Sequence, residues 1–385
     1  MNIRSRSTGE STKSINIQRI ETYVLRYPLS TPVQTSFGLM LDRPMVLLCV
    51  TNIDGQQGWG EIWCNFPSVG AEHRKRLADN ILAPLVIGKP FHKPQDLYHY
   101  LTNSVEILTI QCAEPGPFAQ AIAGIDLAVW DLAARLDEQP LWKFMGGESP
   151  LIKVYASGLN PTNPERLAAE KYGQGYRAFK LKIGFGEQKD GDNLNNLRNT
   201  LGGEVDLMAD ANQNWNLTEA KRMAKFLEPF QLRWLEESMK VTTPLSHWKE
   251  LADSTHIPLA GGENMLGTEQ FEQAIDAVYL KVIQPDIAKW GGFSDCLPIA
   301  HRIRQSKALY CPHYLGGGIG LLGSAHLLAA VGGDGMLEID ANENPLRQEL
   351  CGSLNSIDNG TSLLSNEPGI GFVPNLNSNL REYLV

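Results

Sequence analysis

The sequence predicts an α/β protein: a (β/α)8 barrel that follows a smaller α+β domain. Three observations carry this. From Ile152 onward, short apolar strands alternate with helical segments. Those strands end in charged residues or a histidine, and a barrel is the architecture that brings strand ends together. Over about the first 130 residues the order is instead strands first and helices second, as in an α+β domain.

The first domain opens after a tail, residues 1–14, that carries arginines and serines with no apolar stretch behind it; it reads as frayed chain, not a secretory signal. Ile15–Tyr27 and Pro44–Ile53 are rich in β-branched and apolar residues, and Asp54-Gly55 marks a hairpin turn before Gln57–Trp63. Between the first two strands, residues 28–43 hold prolines and a glycine and read as a long loop. Trp63–Gly70 is a second candidate loop. Ala71–Val86, Lys93–Ile110 and Phe118–Leu136 carry apolar residues at helical spacing; in the last, Ala121, Ile125, Ala128, Val129 and Leu132 share a face.

The barrel strands are predicted at Ile152–Ser157, Ala178–Ile183, Val205–Ala209, Arg233–Leu235, Pro258–Gly261, Tyr279–Gln284, Leu309–Cys311 and Met336–Ile339. All but the last precede a helix; the first of these helices starts at Asn163-Pro164, read as N-cap and N1. Eight units in about 190 residues make a slightly compact barrel, closed by right-handed crossovers. A doubly wound sheet would leave the charged strand ends unexplained.

In Ala178–Gly184, Phe179, Leu181 and Ile183 point one way and Lys180 and Lys182 the other. Two inward lysines are costly unless paired or used. Asp210, Glu236 and Glu263 close the next three strands, so three carboxylates converge and repel. A divalent cation removes the repulsion, and an oxygen-only set favours Mg2+ or Mn2+ over zinc. Unrelated surface acids are the bland alternative. A cation pair beside a metal depresses a lysine pKa and makes Lys182 a candidate general base; for Lys180 a salt-bridging role is the competing reading. Asp286 and His313 end adjacent strands, where the carboxylate fixes the imidazole tautomer and the pair becomes a second acid/base; a core histidine is the alternative. Glu338 bonds a substrate or a neighbour, and Lys289 reads as scaffold, with a third catalytic cation as the alternative.

Totals exclude other classes. The chain has 385 residues, enough for about two domains. A net charge of -9 with no long basic run argues against nucleic acid, and no apolar run is long enough for a membrane. The six cysteines show no CxxC and read as the reduced thiols of a cytoplasmic protein. HxH is absent, and Gly316–Gly320 lacks the Lys-Ser/Thr of a P-loop, so it reads as a tight turn whose amides can meet an anion.

FKLKIG, MADANQNW, WLEES, GGEN, QPDIAKWGG, CPH and LEID, in this order from Phe179 to Asp340, resemble the mandelate racemase subgroup of the enolase superfamily. The resemblance implies a TIM-type barrel with an N-terminal capping domain: residues 15–135, completed by about 360–385, around a barrel of 136–359. It implies Mg2+ on Asp210, Glu236 and Glu263, and Lys182 as base on one face of the substrate. His313 with Asp286 works on the other face. Lys180 and Glu338 hold the substrate carboxylate, and Asn212 contacts the substrate. The loops at 28–43 and 63–70 would set specificity. The muconate-lactonising branch shares Lys180, Lys182 and Lys289 but lacks the Asp–His pair, so it matches less well. The implied reaction is α-proton abstraction from a hydroxy-carboxylate, then loss of water from an acid sugar to a 2-keto-3-deoxy acid. Racemisation or epimerisation is the alternative. A cycloisomerase or a non-catalytic metal-binding barrel ranks lower. A homo-oligomer acting on a small carboxylate is expected.

Overall fold

The computed structural model describes residues 14–35 and 38–385. The expected tail lies outside them except for Ser14. Strands β1 (Ile15–Thr35), β2 (Gly38–Asn52), β3 (Gln57–Ile62) and β4 (Pro90–Phe91) form an antiparallel sheet in the order β3-β2-β1-β4. The segment expected as a loop at 28–43 is mostly strand. β1 and β2 pair down to Pro28 and Asp42, lose register, and pair again from Val33 and Met40. Pro28 and Pro32 sit at the break, where a missing N–H interrupts the ladder without ending the hairpin.

Helices Gly70–Leu77, Pro94–Cys112 and Pro115–Leu136 stand where periodicity placed them; the first continues to Val86 through a π turn at Ala78–Leu82. Helix Pro115–Leu136 is the joint of the molecule. It packs hard on β3, where a Cβ on Gly58 or Gly60 would come within 2.2 Å of the Ala128 or Gly124 carbonyl. Its Asp126 accepts from the amides of Phe293 and Ser294, at the start of the helix Gly292–Gln305. Cap and barrel are thus pinned by an acid at a helix N-terminus.

The barrel strands are β5 (Leu151–Leu159), β6 (Ala178–Lys182), β7 (Asp206–Asp210), β8 (Leu235–Glu236), β9 (Leu259–Gly261), β10 (Val282–Ile283), β11 (Leu309–Tyr310) and β12 (Met336–Asp340). They run in the order β11-β10-β9-β8-β7-β6-β5-β12, parallel and nearly closed. A short strand β13 (Thr361–Leu363) adds antiparallel to β5. All eight strands expected from sequence are present. One local expectation fails: Asn163 makes no side-chain cap and instead adopts φ 51°, the left-handed region that asparagine tolerates.

Alternation builds the floor of the site. Tyr155, Ala178, Met208, Trp234, Ala260, Val282, Cys311 and Met336, one from each barrel strand or its end, form an apolar plug. Two residues further along, the same inward positions become Ser157, Lys180, Asp210, Glu236, Gln284, His313 and Glu338. The barrel therefore changes from apolar to charged within one layer, at the C-terminal ends of its strands.

Candidate active site

A cavity of about 270 Å3 opens above that layer. Lys182, Asn212, Glu237, Glu263, Lys289 and His313 line it from the barrel. Val33, Met40, Arg43, Trp63, Asn65 and Phe66 line it from the cap. The cap residues come from the hairpin and the loop after β3, the two segments singled out from sequence.

Lys182, Asp210 and Glu236 sit side by side in the parallel register of β6, β7 and β8. Lys182 Nζ lies 2.5 Å from Asp210 Oδ2, and Lys180 Nζ lies 2.5 Å from Glu236 Oε1 and 2.8 Å from Glu338 Oε1. His313 Nδ1 meets Asp286 Oδ2 at 2.7 Å, and its Nε2 meets Glu263 Oε2 at 2.6 Å. Glu338 is fully buried; besides Lys180 it accepts from the Ser157 hydroxyl and the Tyr314 amide. Asn212 has φ 44° and turns back on Asp210, its amide at 2.8 Å and its Nδ2 at 3.1 Å. Every residue singled out from sequence reaches this cluster.

Lys289, read from sequence as scaffold or as a third catalytic cation, belongs to the cluster. It lines the cavity, bonds Glu263 Oε1 at 3.2 Å and Asn264 Oδ1 at 3.1 Å, and lies 4.9 Å from the Trp63 ring centre. Burial lowers the Lys182 pKa, but the Asp210 carboxylate beside it, helped by Glu263, outweighs burial and the Lys180 charge and raises it, the direction that holds before any cation draws on Asp210. The sequence shows Lys180 next to Lys182 but not the 2.5 Å contact to Asp210.

Sequence reasoning missed Glu237, Arg43 and Asp340. Glu236 is fully engaged, taking Lys180 on Oε1 and Trp234 Nε1 and Gln284 Nε2 on Oε2. Its neighbour Glu237 lines the cavity, bonds Asn264 through Oε1, and has a buried Oε2 with no partner. The doubled acid in WLEES was the available signal.

Among the described residues, no group of three or more His, Cys, Asp and Glu side chains stands ready as a metal cage. Asp210, Glu236 and Glu263 are instead each held by a cation of the chain itself. The donor chemistry nevertheless fits a hard divalent cation: all oxygen, on neighbouring strand ends, with one buried oxygen unpartnered. Meanwhile burial, joined by neighbouring acids, lifts Glu236 to about 7 and raises Glu237 well above the usual carboxylate range. For His313, burial works downward, but Glu263, Glu338 and Asp286 push it up to about 10.

A barrel carrying Lys180, Lys182 and an Asp286–His313 pair on its strand ends, under an α+β cap, defines an enolase-type enzyme. Residues 19–146 match the N-terminal domain of mandelate racemase / muconate lactonizing enzyme, and residues 164–378 match the enolase C-terminal domain-like family. The chain belongs to the mandelate racemase/muconate lactonizing enzyme family of the enolase superfamily.

A solved mandelate racemase/muconate lactonizing enzyme from Bordetella bronchiseptica RB50 is 49% identical with TM-score 0.91, covering 96% of this chain and 100% of that one. D-galactarolactone cycloisomerase of Agrobacterium fabrum is 26% identical over 93% of this chain and 96% of its own. Arabinonate dehydratase of Saccharolobus solfataricus is 26% identical over 92% and 96%. A racemase from Streptomyces coelicolor A3(2), solved with bound magnesium, is 26% identical with TM-score 0.83 and covers 96% of this chain and 100% of that one. Members of the superfamily bind Mg2+ and act on small molecules; no described helix of this chain is long and apolar enough to cross a membrane.

Proposed function

We propose that this enzyme removes the α-proton of a hydroxy-carboxylate, an acid sugar, and then eliminates the β-hydroxyl to leave a 2-keto-3-deoxy acid. The observation that carries the reading is the pair of proton-transfer groups on one cavity. Lys182 comes from the second barrel strand and His313 from the end of the seventh, with Asp286 fixed to its Nδ1 at 2.7 Å.

Asp210, Glu236 and Glu263 would hold Mg2+, with the open oxygen of Glu237 beside them. Bound there, the cation would draw charge from the substrate carboxylate and acidify its α-carbon. Lys180 would add its positive charge to the same carboxylate, steadied by Glu338, and Asn212 would orient the α-hydroxyl. Lys182 takes the α-proton at Nζ. With Asp210 engaged as a ligand, the contact that raises the lysine pKa weakens, and burial, which lowers it, gains weight. The enediolate collapses as His313 donates its Nε2 proton to the departing β-hydroxyl, which leaves as water, and the enol that remains tautomerises, C3 gaining a proton, to the 2-keto-3-deoxy acid. Asp286 keeps the other proton on Nδ1, so the imidazole presents one reactive nitrogen. Phe66 and Trp63, which line the cavity from the cap, would restrict water.

The same two groups support epimerisation if His313 returns a proton to the α-carbon, and the Streptomyces racemase favours that second reading. The proposal places the enzyme in the cytoplasm as a homo-oligomer, where its six cysteines stay free thiols. Incubation with a panel of acid sugars in D2O separates the outcomes. A 2-keto acid supports dehydration, an inverted and deuterated acid supports epimerisation, and neither product from any acid would refute both.

A further inference from the structure

Strand order divides the cavity into two arcs. Glu237 and Glu263 follow the fourth and fifth barrel strands. Asp340, Asn342 and Gly158 belong to the eighth and first, half a turn away around the barrel. Into that second arc the cap sends Arg43, from β2. Arg43 Nη2 meets Asp340 Oδ2 at 2.6 Å, Nη1 meets Met40 Sδ at 3.2 Å, and Nε is buried without a partner. Asp340 Oδ1 accepts from the Asn342 amide and side chain. Both members of the pair are about nineteen-twentieths buried, at 5% and 4% exposure.

We infer that Arg43 and Asp340 select the tail of the substrate, and that the tail is a neutral polyol rather than a second carboxylate. The inference rests on the acid-sugar reading above and names its substrate class as monocarboxylic. The reason is charge. Any group that approaches Arg43 also meets the Asp340 carboxylate. A hydroxyl donates to Asp340 and accepts from Arg43; a carboxylate gains one contact and is repelled by the other. Arg347 stands 3.8 Å behind Asp340 and does not line this cavity, so it does not present its charge to the ligand. Beside Arg43 stand the apolar Val33 and Met40, paired across the hairpin, and the side-chain amide of Asn342 is already spent on Asp340 Oδ1 and the Gly158 carbonyl, so a second carboxylate finds no ready partner there.

Matched pairs of acids test this: D-gluconate against D-glucarate, and D-galactonate against galactarate. Binding is read by calorimetry on the Mg2+-loaded protein and turnover is read separately, so a wrong reaction and a wrong specificity give different results. The monoacid of the better pair should bind about tenfold tighter than its diacid. Asp340→Asn removes the repelling charge without changing shape and should erase that gap. Arg43→Gln should raise KM about tenfold or more with a smaller change in kcat. Monoacid preference without turnover would keep this inference and remove the reaction. Equal or tighter binding of the diacids, binding of neither class, or an unchanged ratio in both variants would overturn it, the last by reducing the pair to a clasp between cap and barrel.

Discussion

Asp286 Oδ2 lies 2.7 Å from His313 Nδ1, while Asp286 Oδ1 accepts from the amides of Ala288 and Lys289. The carboxylate is locked by its own turn, so the imidazole it holds has one orientation. In the proposed dehydration, His313→Asn should lower 2-keto acid formation by about 100- to 10,000-fold, the usual weight of a general acid. The α-proton should still exchange with D2O, because Lys182 acts before the leaving group departs. Lys182→Ala should abolish that exchange. A His313→Asn enzyme that turns over at the wild-type rate would reduce the Asp286–His313 pair to structure.

Metal removal gives the next outcome. Chelator should stop activity, and Mg2+ should restore it. The unpartnered Glu237 Oε2 predicts more: Glu237→Gln should weaken Mn2+ binding by about 10- to 100-fold, as the loss of a supporting carboxylate does. Paramagnetic resonance of Mn2+ titrations reads this without any turnover. Unchanged Mn2+ affinity in Glu237→Gln would leave Glu236 as the sole β8 ligand.

Much of the site was legible because a barrel strand has a period of two. Lys180, Lys182, Asp210 and Glu338 fall on inward positions, and their strands lie in order, so sequence alone brings them together. Glu237 escaped the same rule. It follows Glu236 directly and ought to face outward, but its φ of 43° breaks the strand and turns it into the cavity. Arg43 was hidden differently. Its partner Asp340 lies 297 residues away, in the other domain, and no local pattern encodes that contact. The hairpin of residues 28–43 misled for a third reason: prolines interrupt pairing at one register break, yet pairing resumes beyond it.

Glu61 of β3 supplies the anion that the glycine turn at Gly316–Gly320 was expected to meet. Its Oε1 accepts from Gly317 N at 2.5 Å and its Oε2 from Gly320 N at 2.9 Å, at the N-terminus of the helix Gly318–Val331. This buried acid joins cap to barrel beside the seventh strand. Glu61→Ala strands both amides and should cost about 1–3 kcal/mol of stability. Differential scanning calorimetry should show a lower Tm; an unchanged Tm would mean that the cap is held elsewhere.

His326 makes the sharpest prediction about pH. It is fully buried in the helix Gly318–Val331, where Nδ1 accepts from the Trp142 amide at 3.0 Å. Its Nε2 faces the Ile370 carbonyl at 3.2 Å and donates to it, so the ring is neutral with its proton on Nε2. Burial drives the pKa down to about 4; the Ile370 carbonyl opposes this and the Arg135 charge adds to it. An unfolded histidine titrates near ~6.5. Between these values the unfolded chain binds a proton that the folded chain refuses. Stability is therefore whole above the unfolded pKa, falls as pH falls, and stops falling below the folded pKa. The loss from this group is about 3 kcal/mol. His326→Gln keeps an acceptor and a donor in place but cannot titrate. Urea unfolding from pH 7.5 to 4 should show the wild type losing about 3 kcal/mol more than the variant. If both lose the same amount, the folded protein accommodates the imidazolium and the buried neutral assignment is wrong.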